Sequence, residues 1–161
     1  MKPEKQTDYL ENRGTSSVIG SEKKLYYKQV GLDLFKKHIL FFQDLGEYHG
    51  RYKDFCEFFI KKEIGISFVD MRGHGLSSGT RGHIDSLDEL LSDYNNFWQT
   101  HKKQYEDKEV IVIGHGVGAL IAMVFMLDNL EVEGLAMVNP AIKFTSKQDS
   151  KFEGFLANYP L

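Results

Sequence analysis

The stretch Val110–Met123, VIVIGHGVGALIAM, constrains this chain most. Four apolar residues lead into glycine at every second position (Gly114, Gly116 and Gly118) and then into an apolar run of helical character. A strand that turns sharply into a helix is written this way, because the chain needs residues without a Cβ where the two elements approach each other. Such a corner presents one side chain at its apex. Here the apex is Gly116, which has none.

The rest of the chain repeats the alternation. SVIG (17–20) and KKLYYKQV (23–30) read as two short strands around a turn. HILFFQ (38–43) and ISFVD (66–70) are almost continuously apolar, as strands covered on both faces are. Between them Tyr52, Phe55, Phe59 and Ile60 recur at helical spacing, with Gly65 beyond. Leu87, Leu90, Leu91, Tyr94, Phe97 and Trp98 share one face of a second helix, and Ser86 with Glu89 has capping-box spacing. A last strand spans Gly134–Pro140. Strands alternating with helices predict a mostly parallel sheet with helices on both faces. Each glycine-rich stretch falls at the C-terminal end of a strand, where such sheets carry their sites.

Bulk properties narrow the partners. The 161 residues suffice for one core, and a net charge of −3 with interspersed Lys and Glu offers nothing to nucleic acid. Cys56 is the sole cysteine, which excludes an internal disulfide. The N-terminus lacks an apolar signal segment, and no run approaches the roughly 18 apolar residues of a transmembrane helix. The expectation is a cytoplasmic protein without a transmembrane segment.

Gly114-His115-Gly116-Val117-Gly118 fits the G-x-S-x-G frame of a nucleophile elbow except at its centre. The run FVDMRGHGLSSGTRGHIDS matches D-x-R-G-H-G-x-S-x-G-x-R-G-H-I at Asp70, Arg72, Gly73, His74, Gly75, Ser77, Gly79, Arg81, Gly82, His83 and Ile84. LGEYHGRY is similar to H-G-x-G-E-H-x-G-R-Y, and GHGVGAL to G-H-S-M-G-G. On these residues the chain resembles the monoacylglycerol lipase and lysophospholipase-like branch of the α/β-hydrolases, grouped with serine aminopeptidase-like hydrolases. The resemblance runs from about Leu25 to Ala141. It implies hydrolysis of a carboxylic ester of a lipid or other acyl compound, with no cofactor and no metal.

The departures from the family's pattern bear on that chemistry. The resemblance aligns Gly116 with the serine that attacks the ester carbonyl. It aligns Gln43-Asp44 with His-Gly before the oxyanion loop, and gives the oxyanion hole to the backbone N–H groups of Leu45 and Val117. A carboxylate at Asp44 opposes negative charge there. No His follows His115, although the family's acid and base come after the elbow. The chain is therefore expected to be inactive as written. Its expected layout is a flexible arm at 1–16, the N-terminal part of a hydrolase core at 17–141, truncated before the last strands, and the start of a cap at 142–161. A homodimer or a missing C-terminal half would cover the exposed sheet edge.

The remaining site residues carry structural expectations. Asp70, Arg72 and Arg81 are expected to form a buried ion-pair network, His74 and His83 to hydrogen-bond the loop, and His115 to pack against the neighbouring strand. Asp70, His74, His83 and Asp85 match no metal-site spacing. Two alternatives stand beside the hydrolase reading. One is a non-catalytic lipid- or acyl-binding or scaffold protein on the same fold. The other is a dinucleotide-binding Rossmann-like domain, since Gly114, Gly116 and Ala119 satisfy G-x-G-x-x-[G/A], although the acidic residues Glu131 and Glu133 precede the next strand instead of ending it.

Overall fold

The computed structural model describes residues 11–17 and 23–141. Its strands are β1 (Glu11–Ser17), β2 (Lys24–Val30), β3 (Lys37–Phe42), β4 (Ile64–Val69), β5 (Glu109–His115) and β6 (Gly134–Val138). They form one sheet in the order β1-β2-β4-β3-β5-β6. The block β4-β3-β5-β6 is parallel, while β2 joins β4, and β1 joins β2, antiparallel. The sheet is thus mostly parallel, as the alternating pattern requires.

The near-continuous apolar runs have a direct cause. β3 and β4 are buried at every position except the first of each. Leu40 and Phe42 face one core with α2 (Leu87–His101) and α3 (Val117–Asp128), where Leu90, Tyr94, Phe97, Ile121 and Phe125 are buried. Ile39 and Phe41 face the other core, with Ile66, Phe68 and Ile113, under α1 (Lys53–Ile60). Alternate side chains point to opposite faces, so a strand covered on both sides must be apolar throughout. α3 is apolar on all sides because it is wedged between the sheet and α2.

α2 begins as its sequence forecasts, with the Ser86 hydroxyl accepting the Glu89 N–H at 3.1 Å. The Glu89 carboxylate does not close the capping box; it pairs with Arg72 at 2.5 Å. At the N-terminus the expectation needs correction. Residues 11–16, assigned to a frayed arm, belong to β1, and all seven residues of β1 pair with β2. Of the expected strand at 17–20, Ser17 belongs to β1 and residues 18–20 lie outside the described residues. Backbone pairing does not need apolar side chains, and a polar edge strand leaves no alternation to read. Residues 1–10, 18–22 and 142–161, including the expected cap, lie outside the described residues.

Among the described residues, β6 pairs on one side only, with β5, and Met137 and Val138 on it are exposed. No helix among them is long and apolar enough to cross a membrane.

A buried polar chain links β2, β3 and β4 through the Tyr105 hydroxyl. His38 Nε2 lies 2.7 Å from Ser67 Oγ, which lies 2.8 Å from the Tyr105 hydroxyl. That hydroxyl accepts a hydrogen bond from Gln29 Nε2 at 2.8 Å. Burial, with a smaller effect of the Lys108 charge, pushes His38 down to about 3. Folding therefore holds this imidazole neutral, whereas the unfolded chain protonates it below its ordinary value of 6.5. The contribution is complete above about pH 6.5 and is lost as pH falls towards 3, with a limiting slope of about 1.4 kcal/mol per pH unit. Denaturant titrations at pH 7 and pH 5 should show a larger loss for the wild type than for His38→Gln. Equal losses would remove His38 as the cause.

Candidate active site

Three loops meet beyond the C-terminal ends of the parallel strands. They follow β3, β4 and β5, and they carry the glycine-rich stretches of the sequence. The corner between β5 and α3 is built on close approach. A Cβ on Gly114 would lie 2.4 Å from Ala119 Cα, and one on Gly118 would lie 2.4 Å from the carbonyl oxygens of both Phe42 and Gln43. Gly116 sits at the apex with φ 57° and ψ −120°, a conformation that residues with side chains adopt only under strain. Its N–H donates to the Val138 carbonyl at 3.0 Å, and its carbonyl accepts the Ala141 N–H at 3.1 Å. These bonds hold the apex between β5 and β6.

Asp44 fills the space over this apex. One carboxylate oxygen, Oδ1, accepts the N–H groups of both Leu45 and Val117, each at 2.8 Å. A Cβ added to Gly116 would lie 2.0 Å from Asp44 Cγ and 2.2 Å from each carboxylate oxygen. The volume that a side chain at position 116 would enter is therefore taken by the side chain at position 44. Two N–H groups aimed at one point stabilise a negative oxygen there. In this molecule that oxygen belongs to the protein itself.

Beside the corner lies a cluster whose chemistry the sequence did not reveal. Glu47 Oε2 accepts the Asp44 N–H at 3.1 Å and the Tyr52 hydroxyl, and it lies 3.0 Å from His115 Nδ1. Burial pushes the Glu47 carboxyl up, but the bonds from Tyr52, His115 and the Asp44 N–H together outweigh it and hold the group below its ordinary value. Burial and the adjoining carboxylate push the Tyr52 hydroxyl well above its ordinary value. His115 thus does not simply pack against the neighbouring strand, as expected. The Glu47 carboxylate captures its Nδ1 because both lie at the same strand ends.

The Arg/Gly loop also differs from expectation. Asp70, Arg72 and Arg81 do not form one ion-pair network. Arg72 forks onto Asp93 of α2 through Nε at 2.6 Å and Nη2 at 2.7 Å, and the Asp93 hydrogen bond raises its pKa. A buried guanidinium needs a carboxylate in bidentate reach, and Asp93 offers one. Asp70 is already saturated by N–H groups of His49 and Leu76. Arg81 donates to the carbonyls of Gly75 and Ser77. His74 does brace the loop, with Nδ1 2.9 Å from the Arg72 carbonyl, while His83 is exposed and pairs with Asp85 at 3.1 Å. Asp93 left one trace in the sequence, an acidic residue on the otherwise apolar face of α2 between Leu90 and Phe97.

The overlap between positions 44 and 116 yields a thermodynamic prediction. Gly116→Ala should lower stability by at least about 2 kcal/mol, from backbone strain together with the clash against Asp44. Asp44→Gly in the same chain should recover the clash but not the strain. Denaturation midpoints of the two single variants and the double variant measure this coupling; strictly additive losses would contradict it.

Residues 35–159 match the family described as Serine aminopeptidase, S33. A monoglyceride lipase of Homo sapiens is 22% identical over 129 residues, which cover 80% of this chain and 42% of the lipase. A phospholipase of Bacillus subtilis is 27% identical over 106 residues, 65% of this chain and 40% of that protein. The chain thus spans less than half the length of these two curated relatives. The solved esterase of Pyrococcus furiosus superposes with a TM-score of 0.72 at 20% identity, over 94% of this chain and 57% of the esterase. The fold is that of the α/β-hydrolases, and the dinucleotide alternative gives way to it. With a match that takes in most of its length, the chain belongs to the serine aminopeptidase S33 family.

Proposed function

We propose that this chain is a hydrolase unit of the lysophospholipase and monoglyceride lipase type in which Asp44 and Gly116 stand in place of the serine machinery, so that it does not cleave esters by the serine route. One observation carries the reading: a single oxygen of Asp44 accepts both the Leu45 and the Val117 N–H. Serine hydrolysis needs a hydroxyl at the apex, a base to remove its proton, and free N–H groups to receive the oxyanion. Gly116 supplies no hydroxyl. The N–H pair is satisfied by a carboxylate, whose charge has the same sign as the oxyanion it would have to admit. Loss of one such donor lowers kcat by about 100- to 1,000-fold. Loss of the nucleophile costs on the order of a millionfold.

The relatives named as monoglyceride lipase and phospholipase support a lipid or acyl ester as the ligand class. In this reading residues 142–161 begin a cap over the acyl cleft, and a further segment or a second copy covers β6. The protein retains the scaffold of an acyl site without its chemistry.

Three measurements test the proposal. Pure protein incubated with a fluorophosphonate probe should remain unlabelled, and a short-chain p-nitrophenyl ester should be hydrolysed no faster than in buffer. Native mass spectrometry should find acyl lipid retained without turnover if the cleft still binds its ligand. Labelling that is lost on heat denaturation, or turnover that scales with protein concentration, refutes the reading.

A further inference from the structure

A second pocket is lined by none of the residues of the Asp44–Gly116 corner, and its reading does not depend on that of the corner. A pocket of about 440 Å³ opens between the loops that follow β3 and β4, lined by Tyr48, His49, Gly75, Leu76 and Arg81. Beneath it lies Asp70, which is fully buried. Asp70 Oδ1 accepts the His49 N–H at 2.8 Å, and Oδ2 accepts the Leu76 N–H at 3.0 Å and lies 2.9 Å from His49 Nδ1. The carboxylate is the acceptor at every one of these contacts. In the neutral imidazole the hydrogen therefore sits on Nδ1 and the lone pair on Nε2, the nitrogen turned away from Asp70.

The surroundings fix this orientation. The Tyr26 ring packs with its centroid 4.8 Å from that of His49. A Cβ on Gly75 would lie 1.9 Å from Asp70 Oδ2, so only glycine lets the loop close over the carboxylate. On another wall of the pocket, Arg81 is pinned by the carbonyls of Gly75 and Ser77. A guanidinium has five N–H donors, and these bonds leave several unused. Leu76 and Tyr48, 65% and 45% exposed, supply an apolar rim.

We propose that this pocket binds the phosphate monoester head of a small apolar molecule, an alkyl phosphate. A singly protonated phosphate monoester offers both groups that the walls require. Its P–OH donates to the lone pair on His49 Nε2, and its anionic oxygens accept from Arg81. A sulfate ester carries the negative charge without the hydroxyl. Inorganic phosphate carries the hydroxyl without the chain that Leu76 and Tyr48 would cover.

Isothermal titration of the whole chain at pH 7, above the ordinary histidine value of about 6.5 and where roughly a tenth of a phosphate monoester is still singly protonated, tests the assignment. Hexyl phosphate should bind at least about tenfold more tightly than hexyl sulfate or inorganic phosphate. Arg81→Gln and His49→Gln should each weaken hexyl phosphate by about tenfold or more. Arg81→Gln alters an exposed side chain that makes no hydrogen bond to Asp70, so a folding defect in His49→Gln would not obscure the result. Absence of binding to the wild type, equal affinity for hexyl sulfate or inorganic phosphate, or unchanged affinity in Arg81→Gln would each overturn the proposal. None of these outcomes bears on fluorophosphonate labelling or ester turnover, so the two readings fail separately.

Discussion

The first turn of α3 rests against the carbonyl end of β3, and the geometry of the corner follows from that contact. Gly118 has no room for a Cβ above the carbonyls of Phe42 and Gln43. The same closeness appears in the sheet register, where Phe42 of β3 pairs with Gly114 of β5. Two residues beyond that pair, Asp44 and Gly116 face each other across the end of the sheet. A change at either position is therefore felt at the other. The carboxylate at 44 requires the absence of a side chain at 116, and the glycine at 116 leaves a space that 44 fills.

Electrostatics explain why the carboxylate stays there. Two N–H groups converge on one of its oxygens, and charge-assisted bonds of this kind are roughly twice as strong as neutral ones. Its own backbone N–H is directed to Glu47, so the turn after β3 is held by side chain and backbone together. Two carboxylate–imidazole pairs, Glu47 with His115 and Asp70 with His49, flank this turn. Asp70 is fully buried and Glu47 half-buried, and each is compensated by N–H or O–H donors, which is the condition for keeping a charge out of water.

The sheet, the helices and the corner were legible because each rests on local pattern. The unbroken apolar runs at 38–43 and 66–70 told of strands covered on both faces, and the spaced glycines at 114, 116 and 118 told of a tight turn. The family's Arg-Gly-His run was legible as a motif, but its partners were not. Arg72 is matched by Asp93, 21 positions later on another element, and nothing in the motif points there. Asp70 and His49 lie on separate loops that only the parallel pairing of β3 and β4 brings together. β1 was missed because a polar edge strand is held by its backbone, and the backbone has no sequence signature. The conflict between Asp44 and an oxyanion was visible in the sequence. That the carboxylate would satisfy both N–H groups at once needed three-dimensional geometry.

The tether that holds Asp44 in place has a competitive consequence. A ligand free in solution meets the Leu45 and Val117 N–H groups at its bulk concentration. Asp44 meets them at an effective concentration set by its place in the same chain, which for short connections is on the order of millimolar or higher. A dissolved anion must exceed that local concentration, or bind much more strongly, before it gains entry. The corner thus behaves as a receptor permanently saturated by a covalently attached guest.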